Sequence, residues 1–198
     1  DSLASFVVFE EGVPLHAGVV PIGGNLITND VAIGFQTPVD IAERIKLAYG
    51  GCAPDEIPKR EQVRMAEFVP QESAVYARRE LAEIIHARLC DIFELVQKEL
   101  KRIERKQLLP GGVVLIGGSS QLPGILDLTK AELGLPTELG GIDSALFPDP
   151  RAIASFTTAL GLIKWAEMRM DEPESGWTSN VSRITQSKWL AWLKSLLP

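Results

Sequence analysis

Apolar and polar positions change rhythm several times along the chain, and each change predicts an element. Ser5-Phe-Val-Val-Phe9 and the run Val13 to Val20 are mostly apolar and are separated by Glu10-Glu-Gly12. That pattern predicts a β-hairpin. Gly23-Gly24-Asn25 then ends the strand and opens a helix, with Asn25 as the expected cap. Thr37-Pro38-Val-Asp40 starts the next helix: Thr as cap, Pro in the first turn, Asp at the positive end. This helix is expected to run to Tyr49 and stop at Gly50-Gly51. Residues 52–62 read as a charged, Pro-containing loop, and Val63 to Val69 alternates weakly, as a strand would.

The strongest period is 3.6. Leu81, Ile84, Ile85, Leu89, Ile92, Phe93, Val96, Leu100 and Ile103 form one stripe and predict a long helix from Ala74 to Lys106, about 45 Å at 1.5 Å per residue. Its cationic end suits a helix C-terminus. Val113-Val-Leu-Ile116 is a continuous apolar strand of the kind covered on both faces. Gly117-Gly-Ser-Ser-Gln-Leu-Pro-Gly124 follows, then a helix to Leu133, a short strand Pro136–Leu139 and a helix from Ala152 to Met168. Strands alternating with helices predict an α/β architecture.

The last residues carry a different signal. At helical spacing Trp189, Leu190, Trp192, Leu193, Leu196 and Leu197 fall on one arc, with Lys188 and Lys194 on the other side. The segment is too short to span a bilayer, and it suits a helix lying in the membrane interface. The other reading is a terminal helix docked on the core. The acidic, Pro/Gly/Ser-containing stretch Asp171 to Asn180 favours the membrane. It separates the tip from the body.

Composition narrows the choice. The 198 residues suffice for one domain or two small ones, and 45% hydrophobic content supports a core. A net charge of −6 argues against nucleic acid as a general partner. The tip opposes that trend: from Val181 to Pro198 there are three cations, Arg183, Lys188 and Lys194, and no acid. Two cysteines, Cys52 and Cys90, suggest no disulfide framework, and Cys90 sits on the apolar stripe as a small core residue. His16 and His86 lack metal-ligand companions, so no metal is expected. The first residues have neither a basic start nor a cleavable apolar run, so no signal peptide is expected.

Two places could carry chemistry. In the strand–Gly117-Gly118-Ser119–helix junction, adjacent glycines admit a ligand close to backbone, and free N–H groups follow. A tight turn is the other explanation, and local features favour it. Glu43 and Lys46 share a helix face three residues apart. They could hydrogen-bond ribose hydroxyls or an adenine edge, or form an ordinary surface ion pair. No catalytic set is apparent.

Several stretches together resemble the FtsA family of bacterial cell-division proteins, in the actin superfamily. They are Val7-Val-Phe-Glu-Glu-Gly12, Val20 to Gly34 with its Thr28-Asn-Asp30, Ala42-Glu-Arg-Ile-Lys46 with Tyr49-Gly50, Ala82 to Arg88, and Gly111 to Gly124. The amphipathic tip matches as well. The resemblance implies an actin-like ATPase lobe, a sheet flanked by helices, with an inserted helical/strand subdomain. Residues 1–50 and 111–170 would form the base, 51–110 the insert, 171–186 a linker and 187–198 a membrane-targeting helix. It implies ATP with Mg as cofactor, with Gly117, Gly118 and Ser119 at the nucleoside and Glu43 and Lys46 at ribose or base. It implies FtsZ as partner through that protein's C-terminal peptide, with Arg88 pairing an acidic group there unless Asp91 or Glu94 takes it. It further implies self-association into filaments and a place on an anionic membrane surface, at the cytoplasmic face of the cell membrane at the septum. The implied role is a scaffold rather than an enzyme. A weak ATPase, or a pilus-assembly adaptor like the related PilM, is the alternative. The resemblance covers the second lobe and tail only. No Asp-x-Gly-Gly-Gly-Thr-Thr phosphate loop precedes the first strand, so a piece of a longer protein and weak ATP binding by this chain alone are expected.

Overall fold

The chain begins as the expected hairpin, β1 (Ala4–Glu10) and β2 (Val13–Val20), paired antiparallel from Ala4↔Val20 to Glu10↔Val13. Glu11 and Gly12 both have positive φ, 52° and 81°. A two-residue turn of that hand matches the twist of the strands, and glycine adopts it without strain. The structure, a computed structural model, describes residues 3–140 and 150–170. Residues up to 155 belong to one compact unit and those from 156 onward to a second. The helix Pro150–Met170 contains the expected Ala152–Met168 span, and its part from Phe156 onward is what is described of the second unit.

Two helices follow the hairpin: α1 (Gly24–Gly34) and α2 (Val39–Tyr49). Neither has the cap expected from its sequence. Gly23 and Pro38 occupy the cap positions without a side-chain bond, and Asn25 lies inside α1. The Thr37 amide is bound by the Ala32 carbonyl instead, closing the turn between the helices.

A larger departure concerns the long helix. α3 runs from Arg78 to Arg102, about 37 Å at 1.5 Å per residue. Residues Val75–Ala77 are instead strand β4, paired with β3 (Gln62–Arg64). The expected strand over 63–69 is thus three residues long. The cause is tertiary: Tyr76 stacks on Phe35 at 4.1 Å and donates to the Phe35 carbonyl at 2.8 Å, which holds residue 76 extended. α3 then starts where the Arg78 amide meets the Glu61 carbonyl and its guanidinium meets the Glu61 carboxylate.

The apolar stripe of α3 buries as its period demands. Leu81, Ile85, Leu89, Ile92, Phe93 and Leu100 are buried, with Ile84 and Val96 half-buried. All of these but Leu100 join Ile27, Val31 and Phe35 of the α1 segment and Ala42 and Ile45 of α2 in one core. Each large side chain there contributes on the order of 1.5–3 kcal/mol. The fully buried thiol is Cys52, which burial pushes up to about 12; Cys90 is half-buried, beside Glu132. Cys52 also stitches three segments. Its amide and thiol both donate to the Pro123 carbonyl, and its own carbonyl lies 2.8 Å from His86 Nδ1.

The last elements of this unit form a βαβ crossover: β5 (Val113–Leu115), α4 (Ile125–Leu133) and β6 (Thr137–Leu139). β5 and β6 pair parallel from Val113↔Thr137 to Leu115↔Leu139. The strands therefore form three two-stranded sheets with helices beside them, rather than one continuous sheet among the described residues. Val114 and Ile116, expected beneath cover on both faces, are more than half exposed. Among the described residues no helix is long and apolar enough to cross a membrane. The tip residues Lys188, Trp189, Leu190, Trp192, Leu193, Lys194, Leu196 and Leu197 lie outside the described residues.

Candidate functional site

Helix α1 packs against both α2 and α3. Thr28 and Asp30 are two residues apart, so about 200° separates them around its axis. One side chain turns toward α2 and the other toward α3. Each organises an ion-pair cluster.

On the α2 side, Lys46 Nζ lies 2.6 Å from Glu43 Oε2 and 2.8 Å from Thr28 Oγ1, with the Gly24 carbonyl at 3.4 Å. The Thr28 hydroxyl has one proton. It goes to Glu43 Oε2 at 2.5 Å rather than to the Gly24 carbonyl at 3.1 Å, because the nearer acceptor carries charge. Burial pushes the Glu43 carboxyl up, but the Lys46 ammonium and the Thr28 hydroxyl outweigh it and the net shift is downward. The Lys46 side chain is only 13% exposed and its ammonium is surrounded by acceptors; the Glu43 side chain is 41% exposed. The cluster thus offers an incoming group a carboxylate acceptor, not a cation. The pair expected between Glu43 and Lys46 is present, and it recruits a third residue that the sequence reading did not single out.

The Gly117–Ser119 junction adopts an open shape. Gly117 has φ +95°, and a Cβ there would meet nothing within 4 Å. Gly118–Gln121 is one turn of 3-10 helix, with the Ser120 hydroxyl closing onto the Gly117 carbonyl at 2.7 Å. The Gly118 and Ser119 amides head that turn, where no intrahelical acceptor exists. The Cys52–Pro123 bonds tie this loop to the chain just beyond α2. No hydrogen bond joins residues 117–119 to Glu43 or Lys46 among the described residues.

On the α3 side, Arg88 binds Asp30 bidentately: Nε to Oδ2 at 2.6 Å and Nη2 to Oδ1 at 2.9 Å. Its Nη1 reaches Asp91 Oδ2 at 3.1 Å. The two anticipated intrahelical partners thus divide: Asp91 takes one bond, while Glu94 pairs with Lys98. The principal partner, Asp30, lies 58 residues away in sequence. Its hydrogen bonds raise the Arg88 pKa. Beside Arg88 opens a groove of about 330 Å³, with Ile33, Gly34, Ile84 and Ala87 as its apolar part and Asp30, Arg88 and Asp91 as its polar part. Ile33 is 76% exposed there. Thr28 and Asp30 had two legible signals: they flank Asn29 in a stretch that carries the family resemblance, and they are polar residues beside apolar Ile27 and Val31. Among the described residues no cluster of His, Cys, Asp and Glu could hold a metal ion.

Comparison with known proteins places this chain in a family. The model of a family described as cell division protein FtsA matches residues 2–161. The FtsA of Neisseria meningitidis is 35% identical over 179 residues, covering 85% of this chain and 42% of that protein. The FtsA of Pseudomonas aeruginosa is 34% identical over 133 residues, covering 67% and 32%, and that of Bacillus subtilis 32% over 162 residues, covering 82% and 36%. The chain spans less than half the length of these relatives. Among solved structures, a PilM–PilN type IV pilus biogenesis complex matches with TM-score 0.60 and 23% identity over 87% of this chain and 44% of that one. MreB5 of Spiroplasma citri bound to AMPPNP matches with TM-score 0.62 and 14% identity over 86% and 52%. These likenesses show an actin-like fold. The match over most of the sequence identifies the family itself: the chain belongs to the FtsA family of cell-division proteins.

Proposed function

We propose that this chain is the second-lobe and tail part of an FtsA-type scaffold that tethers FtsZ to the cytoplasmic face of the cell membrane at the septum. Residues 1–50 and 111–170 serve as the base subdomain and 51–110 as the insert. Residues 171–186 are the linker, and 187–198 the helix that lies on anionic lipid. The observation that carries the docking part is the groove beside Arg88. It combines apolar side chains with a guanidinium in the Ala82–Arg88 stretch. Such a groove suits a short amphipathic peptide that brings an apolar anchor and a carboxylate. Scaffolding, with self-association into filaments, is the role.

The residues present fit the nucleoside end of ATP. Glu43 presents a carboxylate able to accept from ribose hydroxyls, and Lys46 and Thr28 hold it in place. The open turn at Gly117, Gly118 and Ser119 admits a ligand against backbone. Bound ATP with Mg would supply a state-dependent brace between lobes. Residues 1–198 contain no phosphate loop of the Asp-x-Gly-Gly-Gly-Thr-Thr kind, so this chain by itself should bind ATP weakly or not at all. Isothermal titration checks that.

One reconstitution tests the tether. The 198-residue chain should carry the FtsZ C-terminal peptide to anionic vesicles in co-sedimentation. Arg88→Ala should weaken peptide binding by about 1.5–3 kcal/mol, the cost of a lost charge-assisted bond, and leave vesicle binding intact. Deleting 187–198 should abolish vesicle binding and leave peptide binding intact. If both variants behave as the parent does, the tether reading fails.

A further inference from the structure

Arg88 does not stand as an unpaired cation waiting for an acid. With Asp30 and Asp91 against it, the groove's polar part sums to one negative charge. An acidic peptide approaching it is repelled unless one carboxylate gives way. The two carboxylates are not equivalent. Asp30 binds through two parallel bonds, joins two helices and is 25% exposed. Asp91 binds through one longer bond, sits on the same helix as Arg88 and is 56% exposed.

We propose that Asp91 is an exchangeable internal ligand of Arg88: it occupies the Nη1 donor that a partner's carboxylate takes, while Asp30 is the fixed partner that aims the guanidinium into the groove. This deepens the docking reading above and rests on it. Five N–H groups are available to an arginine, and Asp30 and Asp91 engage three of them. The other two, one on each terminal nitrogen, have no acceptor among the described residues. A carboxylate entering beside Ile33 and Ala87 meets the edge that carries Nη1. One Nη1 hydrogen is free, but a carboxylate bound there shares the nitrogen with the Asp91 oxygen, and repulsion between the two carboxylates favours the departure of Asp91. Asp91 then swings to solvent at little cost, because it is already more than half exposed. Asp30 cannot leave so cheaply. Without it nothing on α1 holds the guanidinium, and the side chain regains the rotamer freedom that binding must then remove. Asp91 therefore sets a threshold. A single weak carboxylate does not displace it, whereas a carboxylate delivered together with an apolar anchor for Ile33, Ile84 and Ala87 does.

The test measures affinity for the FtsZ C-terminal peptide in the full 198-residue chain, with circular dichroism confirming each fold. Asp91→Asn should tighten binding about two- to fivefold, the span of exposed ion pairs, and the gain should be largest at low salt. Asp30→Ala should weaken binding although it removes a negative charge. Simple electrostatics predicts the opposite, so this sign separates a positioning role from a field effect. Asp30→Asn, which keeps one acceptor for Nε, should recover part of the loss. If Arg88→Ala weakens binding but Asp91→Asn binds no tighter than the parent, the exchange is overturned and the docking reading stands. If Asp30→Ala tightens binding, the positioning role is overturned. If Arg88→Ala has no effect, the docking reading fails and this inference falls with it.

Discussion

The two ion-pair clusters on α1 share a construction and differ in what they leave open. Both set a basic side chain from a neighbouring helix against a polar side chain of α1. At Lys46 the ammonium is held by Glu43, Thr28 and the Gly24 carbonyl, acceptors already in place, so the cation is internal and only Glu43 faces outward. At Arg88 the planar fork is only partly engaged, and an apolar groove opens beside it. The difference follows from donor geometry. Three converging acceptors satisfy a compact ammonium, whereas a five-donor guanidinium bound along one edge still presents another. One cluster is suited to accept hydroxyls, the other to receive a carboxylate.

The comparison assumes that α1 is held as one body. Ile27→Ala tests this first and should have the largest effect, a loss of about 2–5 kcal/mol in denaturant unfolding, because Ile27 is 1% exposed in the shared core. It should impair both clusters together. If peptide affinity is unchanged in the folded variant, the Arg88 side does not depend on the α1 core.

Thr28→Val separates the clusters. It keeps shape but removes the hydroxyl between Lys46 and Glu43, and should cost about 1–3 kcal/mol of stability with no change in peptide affinity. Asp30→Ala should show the reverse balance: about 1 kcal/mol or less of stability, since its pair is partly exposed, with weaker peptide binding. Equal effects of the two on both measurements would erase the distinction.

Acid sharpens it further. The Glu43 carboxyl is lowered in the folded chain below its ordinary 4.5. Its stabilisation is therefore present above 4.5 and is lost as pH falls through the folded value. The stability gap between the parent chain and Thr28→Val should shrink over that acid window. A gap that stays constant would mean the hydroxyl acts by packing. The smallest effect belongs to Gly34→Ala. The new methyl would stand 2.6 Å from Ile84 Cδ1, the movable end of a side chain. Stability should change by less than about 1 kcal/mol, while the groove narrows and peptide affinity falls modestly.

Much of this fold was legible where the signal is local. The hairpin turn follows from Glu11-Gly12, and the Glu43–Lys46 pair from a three-residue spacing on one helix. The stripe from Leu81 to Leu100 is the 3.6 period itself. The expected caps at Asn25 and Thr37 failed because the turns around them are closed by backbone contacts, including Thr37 to Ala32. The helix expected from Ala74 begins at Arg78 because Tyr76 is claimed by Phe35, forty-one residues earlier. Periodicity reports what a segment prefers, not what another segment offers it.

The candidate sites divide along the same line. The sequence by itself determined the residue types, the family resemblance and the helix faces on which Glu43, Lys46 and Arg88 lie. Tertiary structure decided their state. Thr28 reaches Glu43 across 15 residues and Asp30 reaches Arg88 across 58. Those partners exist only because α1 packs between α2 and α3, and whether a charge is closed or open depends on the groups that packing brings within hydrogen-bond distance. A charge's helix face is set by spacing along the chain; its partner is set by the approach of another helix, and no local pattern encodes that approach.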